Sequence, residues 1–315
     1  MLGLNLQQLE YLVAVDNYKQ FTIAAEKCFV TQPTLSMQIK KAEEQLGIVI
    51  FDRTKQPILT TPVGQKIIDQ ARVVINEYNR LEEIVREESG RIEGSLTVGI
   101  IPSLAPYLLP LFVGHFKKNN PLVNISFKEM ITEELVKALK QDLLDAAILV
   151  TPLEENDIIE QPLFYEDVLI YAHPDHSLNN VETLTVDMLT PSGLWLLDEG
   201  HCFRSQVLNV CQLQADVSSE SPLHFESGSL DTIRKMVDTE GGYTLLPGLA
   251  TEELAFDLHK QVKEFESPVP LREVSLVYSR AFYKRLLLDR LSSSVKASVP
   301  EEMLHKDRGH VVEWK

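Results

Sequence analysis

Cysteine is scarce: three residues, Cys28, Cys202 and Cys211, in a chain of 315. That excludes a disulfide scaffold, and a bond between any two of them in a reducing compartment is transient or sensory. No apolar run approaches the roughly 18 residues of a membrane span, and the first residues lack the basic and apolar regions of a secretory leader. A cytoplasmic protein without membrane contact is expected. Composition also gives no sign of a fibre or a disordered chain. Metal-ligand clusters are lacking as well: His173-Pro174-Asp175-His176 reads as a proline-containing turn, so neither metal nor cofactor is expected.

Positive charge is in deficit, with 30 Lys and Arg against 46 Asp and Glu and a net charge of −16. The deficit is uneven. Residues 1–72 hold eight basic and seven acidic side chains, which leaves −17 on the remainder. A near-neutral head on an acidic body permits nucleic-acid binding by the head and disfavours it for the body.

What is present is concentrated in Gly200-His201-Cys202-Phe203-Arg204-Ser205-Gln206-Val207-Leu208-Asn209-Val210-Cys211. Thiols react as thiolates, so positive charge from Arg204, and from His201 if protonated, is expected to activate Cys202. The apolar spacing predicts a partly buried helix opening just after Gly200, whose start would favour the thiolate further. Nine residues of helix rise about 13.5 Å and put the two sulfurs on opposite faces. A disulfide needs Cα atoms within roughly 7 Å, so joining Cys202 to Cys211 would require the segment to unwind. Alternatively, both are inert buried thiols.

In the head, Leu6, Leu9, Leu12 and Val13 recur at helical spacing, and Phe21–Cys28 reads as a short second helix with Ala24-Ala25 allowing a close crossing. Thr31 is placed to cap a third helix, Pro33 lies in its first turn, Leu35, Ile39, Ala42 and Leu46 mark its buried face, and Gly47 ends it. Its other face offers Gln32, Thr34, Ser36, Gln38 and Lys41 to a major groove. Arg53, in a candidate wing, either neutralises a phosphate or stands solvated. Cys28 falls on the apolar side and is read as core. Ile67, Ala71, Val74, Tyr78, Leu81 and Val85 form a heptad seam that pairs with a second copy or packs on its own domain. Residues 87–95 are polar and read as a linker.

Residues 1–88 resemble the DNA-binding domain of LysR-type transcriptional regulators. The likeness is carried by Ala24-Ala25, Thr31-Gln32-Pro33-Thr34-Leu35-Ser36, Phe51-Asp52-Arg53 and Thr61-Pro62-Val63-Gly64, with Val63 in place of the usual alanine. It implies a winged helix-turn-helix over 1–62, a dimerisation helix over 63–88 and a hinge over 89–94. Beyond these, strands alternate with helices: strands at 96–101, 123–130, 146–150, 168–172, 194–197, 243–246 and 274–278, and helices at 104–118 and 132–141 with Thr132 as a cap. That pattern predicts an α/β sheet. The resemblance makes it a periplasmic-binding-protein-like regulatory domain over 95–300, with lobe I at 95–164 and 269–300 and lobe II at 165–268. The chain would cross near Phe164 and Pro268, and residues 301–315 would form a mobile polar tail.

Within the family the match narrows to its peroxide-sensing members, at Ile101–Pro110, Asp198–Arg204 and Gly242–Pro247. This implies that Cys202 attacks hydrogen peroxide and Cys211 resolves the product. Ser103, Thr132, His201, Arg204, Ser205 and Arg272 would line the peroxide pocket, with His224 and Asp231 in support; the alternative for His224, Asp231 and Arg272 is an ordinary polar surface position. Ser103 replaces a usual threonine, and Ser205 a common aspartate. The implied partners are promoter DNA (through Thr31, Gln32, Pro33, Thr34, Ser36, Gln38, Lys41 and Arg53), RNA polymerase when activating, a glutaredoxin- or thioredoxin-type reductant, and further copies of the chain as a homodimer or homotetramer. Two competing readings are a family member gated by a small organic ligand with inert cysteines, and a thiol peroxidase. Helix capping is the alternative role for Ser103 and Thr132.

Overall fold

The computed structural model describes residues 3–88, 92–181, 184–212, 227–280, 282 and 284–313, and the chain divides into two compact units, residues 1–91 with 281–285 and residues 92–280 with 286–315. The first begins with α1 (Leu6–Tyr18), opened by a reciprocal cap in which Asn5 and Gln8 exchange side-chain and backbone hydrogen bonds. Next come α2 (Phe21–Lys27) and α3 (Gln32–Leu46). Thr31 caps α3 by accepting from the Thr34 N–H, and Gly47 ends it at φ 67°, a left-handed value that suits glycine. A two-residue pair, β1 (Phe51–Asp52) and β2 (Leu59–Thr60), forms the wing.

Leu12, Val15, Ala24, Leu35, Ile39, Ile50 and Ile68 are fully buried in one core. Each large aliphatic residue there contributes about 1.5–3 kcal/mol of transfer free energy. Asp16 ties the unit together, since its carboxylate accepts from Lys19, Thr60 and Arg72. Burial alone would raise its pKa, but these donors hold it below the ordinary carboxylate value.

The last element of this unit is α4 (Pro62–Glu88), 27 residues long. It starts hard against the head: a Cβ on Gly64 would lie 2.5 Å from the Ile50 carbonyl oxygen. The heptad seam divides along this helix. Of the seam residues, Ile67 is half-buried against the head's core and Ala71 is buried, whereas Val74, Tyr78, Leu81 and Val85 stay exposed; off the seam, Ile68 is fully buried in that core and Ile84 is exposed.

The second unit begins with β3 (Gly94–Ile100), α5 (Ala105–Asn119), β4 (Val123–Glu129), α6 (Thr132–Lys140) and β5 (Ala146–Thr151). β4 and β5 both lie parallel to β3, and β5 is buried along its whole length, as a central strand covered on both faces must be. The chain continues through β6 (Ile158–Ala172), α7 (Cys202–Val210), α8 (Leu230–Glu240), β7 (Tyr243–Pro247), α9 (Gly248–Glu252), β8 (Val262–Lys263), β9 (Val269–Ser279), α10 (Arg285–Lys296) and β10 (Gly309–Val311). Strand order is β4-β3-β5-β9-β6-β7. β6 is shared: residues 158–167 pair with β9, and residues 168–172 pair with β7. Their common strands carry the backbone between the two parts of the sheet, and the β6–β9 register shifts between Pro162 and Phe164.

Two expectations are corrected. Residues 194–197 form no strand; Leu194 makes an isolated bridge to Tyr243, because the Tyr243 N–H and C=O bond to Gly193 and Trp195 across an irregular loop. The segment from Val299 is not a mobile tail as far as Glu313. Met303 and Val312 are buried, and β10 runs parallel to β9 with Gly309 opposite Val269.

Candidate functional site

Gly200 adopts φ 90°, a conformation that disfavours a side chain, and a Cβ there would lie 3.4 Å from Ile131. This turn sets the start of α7 against the start of α6. His201 is the N-cap of α7, Cys202 its first residue, and Thr132 the first residue of α6. Cys202 is 5% exposed and unbonded to any other cysteine.

Beneath the thiol lies a fully buried ion pair that the sequence did not reveal as a pair. Arg272, on β9, donates from Nε to Glu166 on β6. Its Nη1 donates to Ser103 Oγ at 3.1 Å and its Nη2 to the Ser103 carbonyl at 3.2 Å. The other Glu166 oxygen accepts from the Leu249 N–H, and the guanidinium lies 5.1 Å from the Phe203 ring centroid. Burial pushes the Glu166 carboxyl up, opposed by Arg272 and the Leu249 N–H. Sequence reasoning passed over Glu166 because a lone glutamate in an alternating strand carries no signal of its own.

Burial raises the Cys202 pKa above the ordinary thiol value, and the Arg272 charge, Thr132 and the N–H groups at the start of α7 act against that rise. The expected low-pKa resting thiol is therefore corrected: desolvation outweighs the charge. The activating cation is corrected too. Arg204, though two residues away, donates its Nη1 to the Leu197 carbonyl at 2.9 Å, and His201 is pushed down by burial against the opposing pull of Asp198 and Glu129, which favours the neutral ring.

Neither hydroxyl serves as a cap. Leu104 and Ile131 are the N-cap residues of α5 and α6, and neither makes a side-chain capping bond. Ser103 is held by Arg272, and the buried Thr132 Oγ1 faces the thiol without a hydrogen bond of ordinary geometry. A buried hydroxyl left this way is costly and suits a site that receives a polar guest. Ser205 is half-buried on the first turn of α7. Asp231 accepts from the Tyr107 hydroxyl at 3.3 Å; His224 lies outside the described residues.

Cys211 is the C-cap of α7, buried in apolar surroundings that push its thiol up to about 12. One continuous helix thus separates the two sulfurs, by a rise of about 13.5 Å and half a turn. Cys28 is half-buried against the head's core, with burial and Glu10 raising its thiol.

On the head, Thr31, Gln32, Pro33, Thr34 and Lys41 are exposed and Ser36 and Gln38 half-buried. Met37, 62% exposed beside them, was missed because an apolar residue in a helix reads as core. Arg53 is engaged internally: Nη2 donates to Glu43 Oε2 at 2.8 Å, and Glu43 Oε1 receives the Ile50 and Phe51 N–H groups. Glu43 thereby neutralises the guanidinium and braces the wing, rather than leaving a simply solvated arginine.

The LysR substrate binding domain family matches residues 89–299, and the bacterial regulatory helix-turn-helix protein, lysR family, matches residues 6–65. The chain belongs to the LysR family. This LysR-family protein is 37% identical over 298 residues to a hydrogen peroxide-inducible genes activator of Haemophilus influenzae, covering 94% of this chain and 97% of that one. A full-length OxyR variant of Pseudomonas aeruginosa matches at TM-score 0.79 and 32% identity, over 94% of this chain and 98% of its own. A cysteine variant of OxyR from Corynebacterium glutamicum, with H2O2 bound, matches at TM-score 0.61 and 25% identity, over 93% and 92%. Among the described residues no helix is long and apolar enough to cross a membrane, and no group of potential metal ligands is present.

Proposed function

We propose that this LysR-family protein is a transcription regulator that senses hydrogen peroxide through Cys202 and Cys211. One observation carries the reading: a buried thiol at a helix start meets the charge of an arginine and the Thr132 hydroxyl, and a second thiol ends the same helix. Peroxide entering beside Cys202 finds the Thr132 and Ser103 hydroxyls as hydrogen-bond partners and Arg272 to stabilise the oxygen that leaves. The Cys202 sulfur bonds to one peroxide oxygen as the O–O bond breaks, and the departing oxygen takes up the thiol proton to become water. Cys211 then displaces hydroxyl from the sulfenic acid, giving a disulfide and a second water. Two thiols are oxidised and one peroxide is reduced. His201 and Arg204 shape the turn before Cys202, while Arg272 supplies the charge.

The α3 face with Thr31, Gln32, Pro33, Thr34, Ser36, Gln38 and Lys41 would read promoter DNA, and the exposed apolar half of α4 would join two copies so that two such faces meet two half-sites. Assembly into a tetramer, contact with RNA polymerase in the activating state and reduction by a glutaredoxin- or thioredoxin-type partner complete the proposal. Titration of the reduced protein with peroxide, followed by thiol counting, peptide mapping and promoter footprinting, tests it. One equivalent should remove two thiols per chain, yield the Cys202–Cys211 disulfide and alter the footprint. Slow or absent thiol loss would instead favour a regulator gated by an organic ligand.

A further inference from the structure

The segment after Arg308 is folded onto the helix that separates the two cysteines. Gln206 donates from Nε2 to the Val312 carbonyl at 3.3 Å, and Asn209 donates from Nδ2 to the Glu313 carbonyl at 2.7 Å. Both donors belong to α7. The segment itself is rooted in the sheet: β10 pairs with β9 from Val269 to Leu271, and the Val312 N–H donates to the Leu271 carbonyl at 2.8 Å. Gly309 permits this approach, since a Cβ there would overlap the Val269 carbonyl. Arg308 adds bonds to Asp167 and to the Tyr165 carbonyl. The residue after Leu271 is Arg272, so one strand carries both the cation facing Cys202 and the anchor of the C-terminal segment.

A cavity of about 720 Å³ adjoins this contact, lined on the helix side by Leu208 and Val210 and opposite by Phe265, Pro270 and Val312. Leu208 and Val210 are buried but border this open volume, and packing on that side resists their departure less than a close-packed interior would. Gln206 is fully buried, and its Oε1 makes no hydrogen bond, so its tie to the segment runs through Nε2. In this half of α7 the two amide bonds to the C-terminal segment provide specific polar restraint.

We propose that Gly309–Glu313 is a latch that holds α7 in its helical, dithiol form and is released when Cys202 and Cys211 join. The proposal rests on the disulfide reading above. Closing about 13.5 Å of helix to a disulfide separation of about 7 Å cannot leave both Gln206 and Asn209 in place, because both lie inside the stretch between Cys202 and Cys211 that must unwind. Oxidation therefore frees the C-terminal strand from α7. By the same linkage, a protein without the latch favours the disulfide.

The test is equilibration of the full chain with mixtures of reduced and oxidised glutathione, in which two protein thiols lose two electrons and two protons to one glutathione disulfide. Asn209→Ala, Gln206→Met and a chain ending at Arg308 are compared with the parent, each checked by thermal melting. Losing one such hydrogen bond should raise the disulfide-forming constant about fivefold. The truncated chain should show tenfold or more, a midpoint at least ~30 mV more negative. Asn209→Ala is decisive because Asn209 is exposed and alanine is the better helix former, so an effect of helix propensity alone would shift the equilibrium towards the dithiol. Unchanged constants in folded variants, or a shift towards the dithiol, overturn the latch while leaving the sensing reading intact. Failure of the parent chain to form the disulfide overturns both.

Discussion

At Cys202 two effects compete, and burial wins. A fully buried thiol loses more solvation on ionising than Arg272, Thr132 and the helix start return, so its pKa lies above the ordinary value in the resting protein. An absorbance titration at 240 nm should accordingly show no thiolate step for the reduced Cys28→Ser protein below the ordinary thiol range of about 8.5. Because both sensor thiols are raised on folding, their contribution to stability is complete below that range and is lost as pH climbs towards the folded values, about 12 for Cys211. Glu166 balances the Arg272 charge, and Glu166→Gln leaves the guanidinium uncompensated. Stability should fall by about 3–5 kcal/mol, and the thiolate step should move to lower pH; a melting curve and the same titration read the two effects. The cysteines and Arg272 were legible in the sequence, the pairing was not. Arg204 is near Cys202 along the chain but its side chain turns back to Leu197, whereas the Arg272 charge acts on the thiol from a strand 70 residues later.

At the scale of elements, α7 matches its sequence reading because the glycine and the apolar spacing agree. Gly200→Ala would force a Cβ into φ 90° and against Ile131, and should lower stability by about 1 kcal/mol or more, seen as a lower melting temperature of the regulatory domain. α4 shows what a repeat pattern alone leaves open. The seam is continuous in sequence, yet its first turns cover the head's own core and its remainder lies exposed, and the hydrophobic period is identical in both cases. Leu81→Glu should therefore weaken self-association, measured by sedimentation, with little change in the head's melting temperature. The C-terminal strand was misread because three residues between polar neighbours carry too short an alternation; its pairing to β9 is a long-range contact that no local pattern encodes.

Across the whole molecule the charge is partitioned by task. The near-neutral head presents polar side chains on α3, while the acidic body supplies the site that proposes to meet a small uncharged oxidant. Asp16 links α1, the wing and α4 at the base of the head. Its pKa is depressed on folding, so its stabilisation is present above the unfolded value of about 3.9 and disappears as pH falls through the folded one; Asp16→Asn should reduce acid sensitivity while lowering stability at neutral pH. The family and the order of the two units were readable from motifs, since short capped helices and glycine turns are local. The ion pair, the latch and the divided seam depend on which distant segments meet. The most direct test of the account is amide hydrogen exchange across residues 203–211 of the full chain, before and after one equivalent of hydrogen peroxide. Slow exchange that becomes fast as the Cys202–Cys211 bond forms is the predicted result, and full protection retained after the peroxide has been consumed would contradict it.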